Sequence, residues 1–310
     1  MTTILITGGT GMVGRRLTQL LTDKGYDVII LSRRSAGAPQ ALSTVSYANW
    51  DIDQQTIDKS AIAKADYIIH LAGAGIADKR WSKERKQEIV DSRVKSSSLL
   101  VKALAANTNQ VKSVISSSAI GWYGADTEKS KQQGFTEEAI ADTEYLGETC
   151  RLWEESIEPV RKQGIRLVKL RTGIILSNEG GAFVEFKKPL KAGIAGILGS
   201  GRQVISWIHV DDLCRMFIYA IEKEEMYGAY NAVAPHPVSN QYLTIALAKQ
   251  MRGKFYIPVY VPSFVLKIML GEMSIEVLKS ATVSCRKIQL AGFDFSFPNV
   301  EKAISELLKN

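Results

Sequence analysis

The feature that most constrains this chain is a glycine-rich turn between an apolar strand and an amphipathic helix. Residues 4–14 read ILITGGTGMVG, with glycines at positions 8, 11 and 14. This spacing lets the backbone turn sharply, approach a pyrophosphate without interference from Cβ atoms, and pack the next helix closely on the sheet. An ordinary glycine turn is the alternative, but the strand–turn–helix order favours a dinucleotide site. Its expected members are Thr7, Gly8, Thr10, Gly11, Met12, Val13 and Gly14.

The end of the second predicted strand indicates which dinucleotide binds. Residues 27–31, DVIIL, are followed by Ser32 and Arg33, at the place where an NAD-specific fold usually offers an acidic residue to the ribose hydroxyls. A guanidinium holds a 2′-phosphate through paired, charge-assisted hydrogen bonds, whereas a carboxylate repels it. The sequence therefore favours NADP(H) as cofactor. Arg15 either adds a second positive charge or is a solvated residue, and Arg34 is interpreted as a solvated neighbour.

Composition argues against several other classes of protein. The 310 residues are 45% hydrophobic, enough to bury a large core without cross-links. The net charge of +7 comes from 39 basic residues that are spread along the chain and mixed with 32 acidic ones. Because no dense basic tract is interleaved with aromatic residues, we expect a small-molecule substrate of unknown identity and no nucleic-acid partner. The oligomeric state is left open.

Cysteine usage and hydropathy indicate a cytoplasmic protein. The three cysteines, at positions 150, 214 and 285, are far apart and lack metal-ligand spacing, so we expect reduced thiols and no metal. The N-terminus reads as a core strand without a basic leader. The longest apolar stretches, such as residues 264–270, are too short to span a bilayer, so no membrane partner is expected.

The alternation of strand and helix patterns predicts an α/β fold with a doubly wound parallel sheet. Right-handed crossovers would place the ligand at the carboxyl ends of the strands. We expect a Rossmann-type domain over residues 1–177, to which residues 207–224 return, and a smaller substrate-side lobe over residues 178–310. The substrate cleft would lie between the two. Strands are predicted at 3–7, 28–32, 45–50, 67–71, 113–117 and 166–170.

Two further strand ends carry candidate cofactor contacts. Asp51 closes the third strand and either accepts from the adenine amino group or caps a helix. The fourth strand ends in His70 and the small residues Leu71, Ala72 and Gly73, where the ribose and phosphates must pass closely. We interpret His70 itself as a packed or hydrogen-bonded strand residue rather than a catalyst.

Taken together, these motifs resemble the extended short-chain dehydrogenase/reductases, the epimerase and dehydratase group. The supporting motifs are TGGTGMVG at 7–14, HLAG at 70–73, SSS at 116–118 and WIHVDD at 207–212. Five more are similar to an atypical, cell-division-inhibitor-like branch of epimerase-family proteins with a short C-terminal domain of unknown function. They are GIADKRW at 75–81, SRV at 92–94, AIGWYG at 119–124, GSGRQ at 199–203 and AGFDF at 291–295, with Pro298 beyond.

The resemblance implies a catalytic tyrosine, a lysine four residues later that lowers its pKa, and a serine that polarises the substrate oxygen. Ser118 takes the serine position and Tyr145 the tyrosine position, but Thr149 stands where the lysine belongs. Without a neighbouring cation, a phenol stays near its ordinary pKa of about 10 and is a poor base at neutral pH. Tyr145 would therefore act as an acid, in the direction of reduction. We interpret Tyr219 and Lys223, which have the right spacing, as a chance match.

The same resemblance supplies candidates for the substrate side. Arg93 takes the place of an asparagine in the helix after the fourth strand and either anchors a backbone carbonyl or carboxylate or is a surface charge. Arg80 and Trp81 could offer an anionic substrate a guanidinium and an aromatic wall, although simple packing of Trp81 is an equal alternative. For His209 we expect a structural role. The remaining candidates to line the cleft are Trp122, Tyr123, Arg202 and Trp207.

Two classes of function are compatible with these features. The first is an NADP(H)-dependent oxidoreductase or epimerase-like enzyme acting on a small polar or anionic carbonyl compound, with Tyr145 as proton donor and Ser118 as partner of the oxyanion. The second is a catalytically weak or inactive NADP(H)-binding regulatory protein. The phosphate turn supports both, and the missing lysine favours the second, whereas the retained serine and tyrosine favour the first.

Overall fold

The computed structural model describes residues 1–33 and 44–309, so Arg34 lies outside the described residues. Its strands are β1 Thr3–Thr7, β2 Asp27–Ser32, β3 Val45–Asp51, β4 Thr56–Ile57, β5 Tyr67–His70, β6 Ser113–Ala119, β7 Arg166–Thr172, β8 Ile174–Leu176, β9 Ile194–Leu198, β10 Val204–Ile205, β11 Trp207–His209, β12 Gly228–Ala232, β13 Val238–Ser239 and β14 Ile257–Val261. Its helices are α1 Met12–Asp23, α2 Lys59–Lys64, α3 Lys83–Ala106, α4 Glu128–Gln133, α5 Tyr145–Ile157, α6 Ala182–Leu190, α7 Val210–Glu222, α8 Asn240–Arg252, α9 Ser263–Leu270, α10 Ser274–Leu278, α11 Arg286–Leu290 and α12 Val300–Lys309.

An eight-stranded sheet forms the centre of the molecule, in the order β12-β7-β6-β5-β1-β2-β3-β4. All neighbours pair in parallel except β3 and β4. The chain builds outward from β1 through β2 and β3, then returns to β5 on the other side of β1, so the order reverses between β1 and β5. Ligands bind at such a switch point, outside the carboxyl ends of the strands. The predicted doubly wound α/β fold is confirmed.

Both faces of the sheet are covered by helices, which explains the nearly continuous apolar character of its strands. Ile4 and Ile6 of β1 point to the layer that contains α1 and α7, while Leu5 points to the layer that contains α2 and α3. All three side chains are fully buried. Since side chains alternate along a strand, this run is the pattern of a strand buried on both faces.

A smaller apolar cluster lies outside the large sheet and joins α6, α8, α12 and strand β9. Strand β9 pairs in parallel with β14, which connects to α9. Strand β12, predicted to belong to the smaller lobe, is instead the edge strand of the large sheet, where it pairs with β7. The predicted domain boundaries stay predictions. They include one return of the chain to the first domain, at residues 207–224, and do not include the return of β12 to the large sheet.

Within residues 1–33 and 44–309, no helix is both long and apolar enough to cross a membrane. The same ranges contain no group of three or more histidine, cysteine or acidic side chains placed to hold a metal ion.

Candidate functional site

A cleft of about 1770 Å³ opens at the carboxyl edge of the sheet, at the switch point between β1 and β5. Its walls come from the ends of β1, β2, β3 and β5 and from one face of α3. The α3 face contributes mainly polar side chains: Lys83, Glu84, Gln87, Glu88, Asp91, Ser92 and Lys95. The sequence motifs did not predict these α3 residues. Eight of the predicted cofactor contacts also line the walls: Gly8, Thr10, Gly11, Ser32, Arg33, Leu71, Ala72 and Gly73.

The glycine turn has room for an anion because glycines stand at the positions where its backbone lies against other backbone segments. Gly8 adopts a φ of +70°, and a Cβ atom added there would lie 2.9 Å from the Leu71 carbonyl carbon. A Cβ on Gly14 would lie 2.4 Å from the Gly8 carbonyl oxygen, so this position lets α1 pack on the turn. Gly11 precedes α1 and offers no side-chain cap. The first amides of α1 therefore remain available for a phosphate.

Thr7 is buried beneath the cleft and connects β1 with the segment after β5. Its Oγ1 accepts from the backbone N–H groups of Leu71 and Ala72, both at 3.1 Å, and lies 2.7 Å from Nδ1 of His70. Because the hydroxyl has one proton and accepts twice, it donates to Nδ1, which leaves the ring proton on Nε2, facing Ser97 at 3.1 Å. Burial lowers the pKa of His70 to about 3. The neutral His70 ring holds Thr7, and Thr7 in turn holds the backbone of Leu71 and Ala72 on the cleft wall.

At the ribose end the structure adds residues that the sequence motifs did not indicate. Arg33 is exposed on the cleft wall, and Tyr47, Trp50, Ile52 and Asp53 line the same end. Asp51 is turned away, since its Oδ1 accepts from the backbone N–H of Asp53 and Gln54 at 2.9 Å. It closes a turn, so an adenine contact by this carboxylate is not what the structure shows. The aromatic and apolar residues at the end of β3 are the sequence feature from which these contacts could have been predicted.

Arg15 is already paired. Its Nε and Nη2 donate to Glu179 at 3.0 and 2.7 Å, and its Nη1 donates to the Thr10 carbonyl oxygen at 2.7 Å. The exposed Glu179 carboxylate offsets the charge of Arg15. The hydrogen bond to the Thr10 carbonyl oxygen connects Arg15 to the glycine turn, so its contacts are structural. Arg33 is a cation of the cleft wall, and so is Lys95 of α3, which pairs with Asp91 at 2.8 Å. Among the described residues, no salt bridge to Arg33 is observed.

Tyr145 begins α5, as predicted, and is not among the residues that line the cleft. Its hydroxyl donates to the Lys86 carbonyl oxygen at 3.0 Å, and its ring meets Trp81 edge-on with 5.0 Å between the ring centres. Burial raises the pKa of Tyr145, so the phenol is protonated at neutral pH. Thr149 donates to the Tyr145 carbonyl oxygen at 2.6 Å and supplies no charge. Lys86 also forms an ion pair with Glu272 of the smaller lobe.

Ser118 is buried, and its hydroxyl proton is used in a hydrogen bond within the protein. Its Oγ donates to Oε1 of Glu154 at 2.8 Å, and Arg171 donates to the same oxygen at 2.8 Å. Both side chains of this ion pair are only 4% exposed. A serine that donates to a carboxylate has no free proton for an oxyanion, so this arrangement does not support the predicted role. No sequence motif pointed to Glu154, which is separated from Ser118 by 36 positions.

Three of the predicted substrate residues belong to packing. Tyr123 is 1% exposed, donates to Asn231 at 2.6 Å and accepts from Arg171, whose guanidinium lies 3.7 Å from the ring centre of Trp122. Trp207 is fully buried and donates to the His236 carbonyl oxygen at 2.9 Å. These corrections have one cause: aromatic residues after strands also fill cores, and tertiary packing distinguishes the two roles.

The two predicted arginines of the smaller lobe and the loop before α3 are exposed. Arg202 follows β9 and is not among the residues that line the cleft. Arg80 lies against Gly271, where an added Cβ atom would come within 2.7 Å of its Nε. The turn at 271–272 thus contacts both Arg80 and, through Glu272, Lys86. The smaller lobe thus contacts α3 at Lys86, whose carbonyl oxygen accepts from the Tyr145 hydroxyl.

Arg93 of α3 anchors backbone carbonyls, which is one of the roles predicted for it. Its Nη1 donates to the carbonyl oxygens of Ala74 and Ile89 at 3.0 and 2.9 Å, and its guanidinium lies 4.9 Å from the ring centre of Trp153.

The aspartates of the WIHVDD motif have structural partners. Asp211 binds Arg16 of α1 at 2.6 Å, and the fully buried Asp212 accepts from the backbone N–H of Ser296 and Phe297 at 2.9 and 2.8 Å. His209 stacks on Phe297 with 3.9 Å between ring centres, and burial lowers its pKa. The motif therefore connects the returning chain to α1 and to the C-terminal segment.

Comparisons with known proteins agree with this geometry. The model of the NAD dependent epimerase/dehydratase family matches residues 4–232, and a domain of unknown function, DUF1731, matches residues 261–307. Epimerase family protein YfhF of Bacillus subtilis (strain 168) is 34% identical over 306 residues, which cover 98% of this chain and 97% of that protein.

Solved structures give the same picture. Human epimerase family protein SDR39U1 (isoform 2), solved with NADPH, superposes with a TM-score of 0.85 at 25% identity, covering 100% of both chains. A nucleoside-diphosphate sugar epimerase from Corynebacterium glutamicum superposes with a TM-score of 0.76 at 31% identity, covering 99% of this chain and 58% of that one.

Proposed function

The chain belongs to the NAD dependent epimerase/dehydratase family, and from that premise we propose that it is an NADP(H)-dependent oxidoreductase acting on a small polar or anionic carbonyl compound. The family membership confirms the resemblance found in its motifs. No nucleic-acid or membrane partner is part of the proposal. The three cysteines are free and buried, which supports the predicted reducing, cytoplasmic compartment.

The observation that carries the cofactor assignment is the pairing of an open phosphate turn with an arginine at the ribose end. Gly8, Thr10 and Gly11 line one end of the cleft, and the uncapped start of α1 lies directly behind them. Arg33 lies on the wall where a 2′-phosphate would lie in this fold. The human structural relative was solved with NADPH, which supports the same cofactor here.

When bound, NADPH would supply a hydride to the carbonyl carbon of the substrate. The proton for the carbonyl oxygen would come from the Tyr145 hydroxyl, which first has to release the Lys86 carbonyl oxygen. Because burial raises the pKa of this phenol, it is the acid form that is available at neutral pH. Reduction should therefore be faster than oxidation.

The second candidate is an NADP(H)-binding regulatory protein with little or no turnover. The observation that favours it is the pair of departures at the chemical end, where Ser118 donates to Glu154 and Tyr145 is not among the residues that line the cleft. Both candidates share the cofactor site, and they differ only in whether hydride transfer takes place after the cofactor has bound.

Titration calorimetry with NADPH and NADH tests the cofactor assignment. We expect wild type to bind NADPH more tightly, and Arg33→Ala to lose about 1.5–3 kcal/mol, or roughly tenfold to more than a hundredfold, for NADPH alone. Gly11→Val, which adds bulk at the phosphate turn, should weaken both cofactors. Equal wild-type affinities for NADPH and NADH would remove Arg33 from this role.

A further inference from the structure

The positive charge of the protein is concentrated in two stretches of its C-terminal half. Residues 186–210 and 226–271 together contain eight of the 39 lysines and arginines and none of the 32 aspartates and glutamates. Since the net charge of the whole chain is +7, the rest of the sequence is close to neutral. The fold joins the two stretches, because β9 pairs with β14 and β10 pairs with β13. The mixing of charges along the chain therefore does not extend to this part of the molecule.

The same part of the molecule exposes large apolar side chains. Strand β14 and helix α9 are separated by Pro262 alone, and Leu266 is the one buried residue of α9. Soluble monomers rarely expose large apolar patches, and such patches mark interaction sites. Six side chains in and next to these two elements are more than half exposed, and we call them the exposed apolar patch: Phe255, Ile257, Tyr260, Phe264, Ile268 and Met269.

Lysines stand within this patch. On α9, Lys267 lies three residues after Phe264 and directly before Ile268, so the three exposed side chains lie on neighbouring positions of one helix face. In the loop before β14, the exposed Lys254 directly precedes Phe255. Among the residues that the structure describes, neither lysine forms an ion pair. A lysine can cover apolar surface with its alkyl chain while its ammonium group stays in a polar layer.

The turn between α6 and β9 brings further positive charge to the loop before β14. The Gly193 carbonyl oxygen accepts from the Ile257 N–H at 2.8 Å, and an added Cβ atom on Gly193 would lie 3.6 Å from Nη2 of Arg252. Lys191 stands two residues before this glycine. The patch thus has a positively charged border. The acidic residues of α6, of the turn after α9 and of α10 are already paired: Glu185 with Lys188, Glu272 with Lys86 and Glu276 with Lys279.

This charge pattern indicates the partner. A second copy of the chain would bring two positive borders together, and like charges across an interface disfavour association. An anionic surface is complementary to the border and accepts the apolar side chains between its headgroups. We propose that the exposed apolar patch docks the protein on an anionic lipid membrane, with the apolar side chains at the boundary between headgroups and acyl chains and the lysines on the headgroups.

Such a contact requires no membrane-spanning helix. The expectation of no membrane partner follows from span length alone, and a helix that lies in the plane of the interface needs only an apolar face with basic residues beside it. Aromatic side chains such as Phe255 and Tyr260 are favoured at this depth. A patch of this size gives weak, reversible binding that depends on the anionic lipid. The inference is independent of the proposed function, since the docked protein keeps its cofactor cleft whether or not it transfers hydride.

Co-sedimentation of the full-length protein with lipid vesicles tests the apolar contribution. We expect binding to vesicles of equal parts phosphatidylglycerol and phosphatidylcholine, much weaker binding to phosphatidylcholine alone, and a loss of binding as salt is added. Phe264→Ser with Ile268→Ser should weaken binding by roughly tenfold or more. Ile140→Ser is the matched control, because Ile140 is 88% exposed but lies in an acidic segment, residues 137–144, and should bind like wild type.

A second pair of variants tests the charge contribution. Lys254→Gln with Lys267→Gln should weaken binding to the anionic vesicles by roughly tenfold. Lys129→Gln with Lys162→Gln removes the same charge from exposed lysines outside the two stretches and should have little effect. Equal losses in the two double variants would mean that net charge alone drives binding, and the proposal would be wrong.

The remaining outcomes also decide the question. Equal binding to neutral and anionic vesicles, or no binding to either, would overturn the proposal, and the second result is the one expected if an acidic protein covers the patch. A dimer in analytical ultracentrifugation that Phe264→Ser with Ile268→Ser dissociates would assign the patch to a second copy. Circular dichroism checks the fold of each variant. Phe264→Trp provides a second measurement: relative to wild type, its fluorescence should shift to shorter wavelength on anionic vesicles, and an unshifted emission would contradict insertion.

Discussion

The two ends of the cofactor region are built in contrasting ways. At the phosphate end, the backbone of one continuous stretch, residues 7–14, forms the site. At the chemical end, Tyr145, Ser118 and Arg93 come from α5, β6 and α3, and each is engaged by a partner distant in sequence. The phosphate end is therefore built mainly from local backbone, with Thr7 connecting it to the segment after β5, whereas the chemical end depends on a buried network of side chains.

This contrast explains where the sequence resemblance succeeds. A backbone turn needs only glycines at fixed positions, so its motif predicts its geometry. A catalytic role needs a side chain that is free to reach the substrate, and a neighbour such as Glu154 can remove that freedom without altering the motif. Substitutions at the two ends should therefore have separable effects on stability, catalysis and cofactor affinity.

The largest expected effect is the loss of stability in Glu154→Ala. This change leaves Arg171 as a buried charge without a carboxylate, since the pair is only 4% exposed on either side. Breaking such a pair costs about 3–5 kcal/mol of unfolding free energy, measured by denaturant titration. Glu155→Ala is the matched control: its carboxylate is exposed and binds Arg151, so it should cost under about 1 kcal/mol. Equal losses would mean that the network does not support the chemical end.

Tyr145→Phe should have the next largest effect, and on catalysis alone. Removing a positioned acid lowers the rate of carbonyl reduction by roughly a hundredfold or more. NADPH affinity should not change, because Tyr145 is not among the residues that line the cleft. Single-turnover loss of NADPH absorbance over a panel of aldehydes, ketones and keto acids measures the rate. An unchanged rate would exclude Tyr145 as proton donor, and weakened NADPH binding would contradict the independence of the two ends.

The pH dependence of the free energy of unfolding tests the buried contact between Thr7 and His70 beneath the cleft. Burial lowers the pKa of His70 from 6.5 to about 3, so between these values the unfolded chain takes up a proton that the folded protein does not. Stability is therefore present above pH 6.5 and falls with acidification, by up to about 1.4 kcal/mol per pH unit from this residue. His70→Asn keeps an acceptor for Thr7 and removes the titration. The stability of wild type relative to His70→Asn should fall steadily as the pH drops from 6.5 towards 3, and a constant difference would contradict this interpretation.

Arg15→Ala should have the smallest effect. Its guanidinium is paired with Glu179 at an exposed site, and such pairs contribute under about 1 kcal/mol. We expect NADPH affinity to change by less than about threefold, in contrast to Arg33→Ala. A loss as large as that of Arg33 would show that both arginines bind the phosphate.

The predictions from sequence succeed where the signal is local. All six predicted strands of the large sheet are present, within about two residues at either end, because apolar runs and glycine turns punctuate them. The start of α3 follows Ser82, whose side chain accepts from the Arg85 N–H at 3.1 Å, which is the role that a serine takes at an N-cap. Tyr123 and Trp207, predicted to line the cleft, are buried instead, since an aromatic residue after a strand has the same local pattern in a core and in a cleft.

Local patterns in the chain were enough to establish the parallel sheet, the phosphate turn, the family and, as a testable expectation, the NADP(H) preference. These depend on periodicity, glycine spacing and one arginine, which act over a few residues. Long-range packing was needed to establish that Ser118 donates to Glu154, that Arg93 of α3 stacks on Trp153 of α5, and that β12 completes the large sheet. Such contacts join residues tens of positions apart, and their partners are selected by packing of helices and strands, which no local pattern records.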